Sequence, residues 1–159
     1  SAESLPNEDV DLTSLAREVC EFLEPVAAEQ NRVLAISAEE STLVRGSSKL
    51  LKRVFINLLD NAFRHTAMGG RIDVGVSRCG TSIRASVRDE GPGFTPNDPD
   101  LLFRRFGHGS SAHAGAGLGL AICQEIVRKH RGRIEIATAA ETGTTVSFEL
   151  PAAPQSAAA

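Results

Sequence analysis

No stretch of this 159-residue sequence is apolar over anything near the roughly 20 residues a membrane-spanning helix needs. The first residues, SAESLPNEDVDL, are acidic where a signal peptide would be basic and then greasy. The polypeptide as it stands is expected to be neither secreted nor membrane-spanning, and its setting to be cytoplasmic. Cysteine is scarce: Cys20, Cys79 and Cys123 are odd in number and far apart, with no CxxC and no histidine at ligand spacing. That excludes a disulfide framework and a zinc site and fits a reducing compartment. Positive charge is not in excess either. With 17 Lys and Arg against 20 Asp and Glu the net charge is -3, so a nucleic-acid partner is not expected. There is no internal repeat. What remains is a chain 42% hydrophobic and 23% charged, enough for one globular core and too short for two.

Hydrophobic periodicity orders this chain into alternating helix and strand. Asp11 to about Asn31 reads as a helix with Leu15, Val19, Phe22, Leu23 and Val26 at helical spacing; VLAIS and TLVRG follow as a short pair of strands. Ser48 to Thr66 carries the strongest pattern, an apolar stripe of Leu51, Val54, Phe55, Leu58 and Ala62. RIDVGVSR and SIRASVRD alternate apolar and polar on either side of Cys79-Gly80-Thr81 and predict a hairpin with one buried face. A helix from Gly117 to His130 ends in Arg128, Lys129 and His130, with Gly132 placed to stop it; RIEIAT and TTVSFEL form a closing antiparallel pair. The sum predicts an α/β two-layer sandwich, a mixed, largely antiparallel sheet covered on one face by helices. Residues 1–10 read as an extension or linker, 11–151 as the domain and 152–159 as a disordered tail. The Pro- and Gly-rich stretch from about 94 to 116 reads as a long functional loop.

Three polar constellations interrupt this pattern. On the strong helix, Asn57, Asn61, Arg64 and His65 fall along one seam beside the apolar stripe. Asparagine is a poor residue for a helix interior, so the pair reads either as a solvated face or as amide oxygens for a hard cation such as Mg²⁺. DEGPGF, Asp89 to Phe94, stands where a strand ends. It reads as a turn or as a ligand loop in which Gly91 and Gly93 allow close approach and Asp89 accepts from the exocyclic amine of a base. GAGLGL, Gly115 to Leu120, opens a helix, where free amides suit a phosphate. It is neither GxGxxG nor a P-loop, since no Gly-Lys-Ser/Thr follows.

In order, NLLDNAFRHT, DEGPG, LFRRF and GAGLGLAI resemble the N, G1, F and G2 boxes of the catalytic and ATP-binding domain of sensor histidine kinases, members of the GHKL ATPase group. The resemblance covers nearly the whole chain, including the closing GTTVSFELP. It implies a GHKL ATPase fold over residues 11–151, a mobile ATP lid at about 94–116, and ATP and Mg²⁺ as cofactors. It implies that Asn61 holds Mg²⁺ with Asn57 in support, and that Asp89 reads the adenine amine with Thr144 beside it through water. Arg64 stands where the family commonly has lysine near the phosphates. His65 stands where it has tyrosine beside the adenine. Phe103, Arg104, Arg105 and Phe106 form the F box, whose arginines reach phosphates or the partner helix. Gly115, Gly117, Leu118 and Gly119 belong to the segment that wraps the triphosphate.

Two departures from the family pattern stand out. Gly107-His108 follows Phe106 where the family often has a Tyr-Arg pair, and no His-Glu/Asp followed by Leu-Arg-Thr-Pro occurs, so the phosphoacceptor helix is absent from this polypeptide. The resemblance therefore implies the ATP-binding half of a two-component histidine protein kinase. Its partners would be a histidine-bearing phosphoacceptor and dimerisation domain, in the same full-length protein or another chain, and a response regulator downstream. The piece alone is expected to be a monomer, and the full-length protein remains open to membrane anchoring. Self-sufficient ATPases of the same group need a carboxylate where Asn57 stands, and an amide cannot accept a proton. An anti-sigma-type serine kinase and a regulatory ATP-binding module, both of the GHKL group, stand beside the histidine kinase as competing readings.

Overall fold

Asp11 ends the first strand and starts the first helix. Its carboxylate accepts from the Ser14 N–H at 3.2 Å and so caps helix α1, Leu12–Glu29. In this computed structural model the described residues are 4–90, 114–139 and 143–154, with no account of the side chains of 114–118 and 139. Gly91, Gly93, Phe103, Arg104, Arg105 and nearly all of the expected lid lie outside them.

The strands are β1 (Glu8–Asp11), β2 (Val33–Ala38), β3 (Leu43–Gly46), β4 (Arg71–Cys79), β5 (Ser82–Asp89), β6 (Arg133–Ala139) and β7 (Gly143–Pro151). Helix α2 spans Ser48–His65 and α3 spans Ala114–Lys129. Five strands form one sheet in the order β2-β4-β5-β7-β6, antiparallel except for the parallel β2–β4 pair. Alternation decides which face is buried: Ile72, Val74, Val76, Ile83, Ala85, Val87, Val146, Phe148 and Leu150 point into the core. The helices pack over that face, α1 on β2 and β4, α2 on β5, α3 on β6 and β7. The expected two-layer sandwich is the fold observed. At its centre Phe55 of α2 meets Phe148 of β7 edge-on, with ring centroids 5.5 Å apart.

Several local expectations need correction. VLAIS and TLVRG do not pair with each other. β2 is an edge of the main sheet, whereas β3 pairs with β1 in a separate two-stranded sheet. β1 itself arises in residues expected as an extension. The nominal tail starts by closing that small sheet, since the Ala153 N–H donates to the Leu43 carbonyl at 2.8 Å and Ala153 is buried. On α1 the buried face runs through Leu12, Leu15, Ala16, Val19, Cys20 and Ala27, while Phe22, expected in that stripe, is 72% exposed. Helix α3 begins at Ala114 rather than Gly117, which draws Gly115 and Gly117 into its first turns. It is ended by Arg131, held at φ 62°, and not by a left-handed Gly132. Gly132 is glycine for another reason: a Cβ there would lie 2.2 Å from the Glu149 carbonyl oxygen of β7.

Candidate functional site

Helix α2 is fixed at both ends, and this holds its polar seam in place. At its start the Ser47 hydroxyl accepts from the Leu50 N–H. The Ser47 N–H in turn donates 3.1 Å to Nε2 of buried His130, whose Nδ1–H donates 2.8 Å to the Ile126 carbonyl of α3. One imidazole thus ties the end of α3 to the beginning of α2, and Gly46 is glycine because a Cβ would collide with that ring. At the other end Arg32 donates from Nε to the Thr66 carbonyl at 3.0 Å, bonds it again through Nη2, and lies 5.8 Å over the Phe63 ring.

Between these anchors stand the four seam residues. Asn57 is half-buried and faces α3 at Gly119, where a Cβ would lie 3.6 Å from the Asn57 Cβ. Asn61 is 3% exposed, and its Oδ1 has no hydrogen-bond partner among the described residues. A buried carbonyl oxygen left in that state costs about 1–3 kcal/mol, so Asn61 fits a site completed by something that binds there. Arg64 is exposed and pairs with Asp60 one turn back, Nε to Oδ2, at 3.1 Å. His65 is the last residue of the helix and half-buried.

The second part of the site is built by strand register. Asp89 is the last residue of β5 and lies opposite Thr144 of β7; both are 3% exposed. The Thr144 hydroxyl is 3.2 Å from that of Thr138. Gly143 has φ 102°, and a Cβ on it would come within 2.0 Å of the Asp89 carbonyl oxygen, so the backbone passes over Asp89 only because this residue is glycine. Gly143 was not among the residues expected from sequence; its signal is its place just before Thr144. Helix α3 supplies the third part. At Gly119 a Cβ would meet Asn57 atoms no closer than 3.6 Å, an ordinary contact, so helix packing is not what demands glycine there.

Among the described residues no three His, Cys, Asp or Glu side chains gather to hold a metal. A divalent cation at the Asn61 oxygen would draw its other ligands from phosphates and water, a common arrangement for Mg²⁺. A separate groove of about 900 Å³ lies at the opposite end of α2, lined by Arg45, Lys129, His130, Arg131 and Pro residues, and contains none of the candidate residues. Among the described residues no helix is long and apolar enough to cross a membrane.

Comparison with known proteins fits this arrangement. Residues 46–154 match the family described as histidine kinase-, DNA gyrase B-, and HSP90-like ATPase. The sensor protein SphS of Synechococcus elongatus is 37% identical over 158 residues, which is 92% of this chain and 38% of that protein. The chain thus spans little more than a third of that relative. The catalytic domain of histidine kinase ThkA superposes with a TM-score of 0.81 at 28% identity, covering 94% of this chain and 99% of that domain. Full-length ShkA in complex with AMPPNP gives 0.85 at 28% identity, covering 99% of this chain and 33% of ShkA.

Proposed function

The chain belongs to the histidine kinase-, DNA gyrase B- and HSP90-like ATPases, and from that premise we propose that it is the ATP-binding catalytic domain of a sensor histidine kinase. It binds MgATP and passes the γ-phosphoryl group to a histidine on a separate phosphoacceptor and dimerisation domain, for relay to a response regulator. The observation that carries this reading is the pair Asn57 and Asn61 on one seam of α2, an amide where a hydrolytic relative needs a base, one turn before a buried amide oxygen with no partner among the described residues.

Each residue then has work suited to its surroundings. Asp89, buried at the end of β5, accepts from the exocyclic amine of adenine, and Thr144 across the ladder reaches the same base through water. Guanine carries a carbonyl at that position and faces the carboxylate with its acceptor. The His65 ring lies beside the base. Asn61 Oδ1 would hold Mg²⁺, which when bound neutralises phosphate charge and orients the transferring group. Arg64 reaches the phosphates by leaving Asp60, and an exposed helix pair of that spacing holds it by only about 0.3–0.5 kcal/mol. Arg104 and Arg105, beside Phe103 in the F box sequence, add positive charge. The backbone at Gly91, Gly93, Gly115, Gly117, Leu118 and Gly119 approaches the nucleotide.

Phosphoryl transfer asks mainly for positioning and charge neutralisation, both of which this set supplies. Hydrolysis asks in addition for a base. Asn57 cannot be one, and the Asp60 carboxylate lies one residue off the Asn57–Asn61 seam and is exposed to solvent. Titration calorimetry with MgATP and MgGTP tests the adenine pocket: binding of ATP with little or none of GTP is expected, and equal affinity for the two contradicts it.

A further inference from the structure

On the core face of β5, β7 and β6, directly opposed residues line up in rows across the three strands. Ala85, Phe148 and Ile134 form one row and Val87, Val146 and Ile136 the next, all apolar and packed in the core. The row after them is Asp89, Thr144 and Thr138. Each of these three carries a hydrogen-bonding side chain, whereas the same row continues onto β4 with apolar Ile72. Asp89 and Thr144 are buried and Thr138 is half-buried. Between β7 and β6 the two threonine hydroxyls meet at 3.2 Å. The proposed function uses Asp89 and Thr144 and gives Thr138 no part.

A threonine hydroxyl has one donor and two acceptor positions, and its β-branched side chain has few rotamers to choose from in a strand. We propose that Thr138 is a positioning residue for the base end of the nucleotide site: its hydroxyl fixes the rotamer of Thr144 and takes up one bond of the Thr144 hydroxyl, which leaves the others for the water shared with the base beside Asp89. Thr138 touches no nucleotide and acts through Thr144, whichever of the two hydroxyls donates. The inference rests on the reading of Asp89 and Thr144 as the adenine edge. A threonine kept only as a good strand former would be replaced without loss by valine, which has the same branching and no hydroxyl.

The test is a double-mutant cycle on the 159-residue chain, reading affinity for a nonhydrolysable ATP analogue with Mg²⁺ by calorimetry and the melting temperature in parallel. Thr138→Val should weaken binding about fivefold, the loss of one neutral hydrogen bond, without lowering the melting temperature. Thr138→Ser, which keeps the hydroxyl, should stay within about twofold of wild type. In a Thr144→Val background Thr138→Val should cost no further affinity. Wild-type affinity in Thr138→Val, a loss with serine as large as with valine, or equal losses in both backgrounds would overturn the proposal. So would a loss of affinity matched by a fall in melting temperature, which marks the hydroxyl as structural. Failure of the wild-type chain to bind the analogue would refute the nucleotide-site reading itself, and this inference with it.

Discussion

Asn61 and Asp89 are polar side chains buried to the same degree, and each makes a distinct demand on what binds beside it. The Asn61 amide sits in the middle of a helix that alanine would stabilise. Asn61→Ala should therefore barely alter the melting temperature, yet remove the Mg²⁺ dependence of triphosphate binding; calorimetry with and without Mg²⁺ checks this. Unfolding of that variant would mark Asn61 as a structural amide. Asp89→Asn exchanges a charged acceptor for an amide at the proposed adenine edge. ATP affinity should fall by about 1.5–3 kcal/mol, or roughly 10- to 150-fold, with circular dichroism unchanged. An unaltered affinity would remove Asp89 from the pocket. The candidate residues on α2, β5 and β7 were legible because each sits within a short motif. Gly143, Cys123 and Arg32 were not, because their partners Asp89, Val54 and Thr66 are distant in sequence and only the packed fold brings them together.

Among the elements, α1 offers the clearest pH-dependent test. Burial would raise the Asp11 carboxyl, but hydrogen bonds from the Ser14 N–H and the Thr42 hydroxyl outweigh it and hold the group below its ordinary value of 3.8. A carboxylate depressed on folding contributes stability that is present above its unfolded pKa and lost as pH falls through the folded one. Asp11→Ala should cost about 1 kcal/mol in urea unfolding at neutral pH, with the gap to wild type narrowing as the pH falls below the ordinary value of 3.8 and through the lowered folded one. A gap that is constant with pH would exclude the charged cap. The elements that the sequence disclosed well were those stabilised locally: the α2 stripe, the β4–β5 hairpin turning at Gly80 with φ 62°, and the β6–β7 ladder. β1 was hidden because only Val10 of its four residues is buried, and the separation of β2 from β3 because it depends on which distant strand each one pairs with. The end of α3 was misread because Gly132 signals a left-handed stop, whereas its real constraint is the close approach of β7.

For the molecule as a whole, the proposed nucleotide pocket runs along α2, β5, β7 and the start of α3, and no histidine stands in the sequence context of an acceptor helix: of the four, His130 joins α3 to α2 and His65 ends the α2 seam. On the proposed function, such a domain is expected to bind ATP reversibly and to turn it over very slowly alone. Asn57→Glu would add a carboxylate one turn from Asn61 and should raise hydrolysis while weakening triphosphate binding through charge repulsion. The central claim, transfer to a partner rather than hydrolysis, is tested most directly by incubating the wild-type domain with γ-labelled MgATP, alone and with a histidine-bearing acceptor domain. The account predicts very slow phosphate release by the domain alone, and acid-labile, base-stable label on the acceptor once it is added. Rapid steady-state phosphate release by the lone domain, with no label on the acceptor, would contradict it.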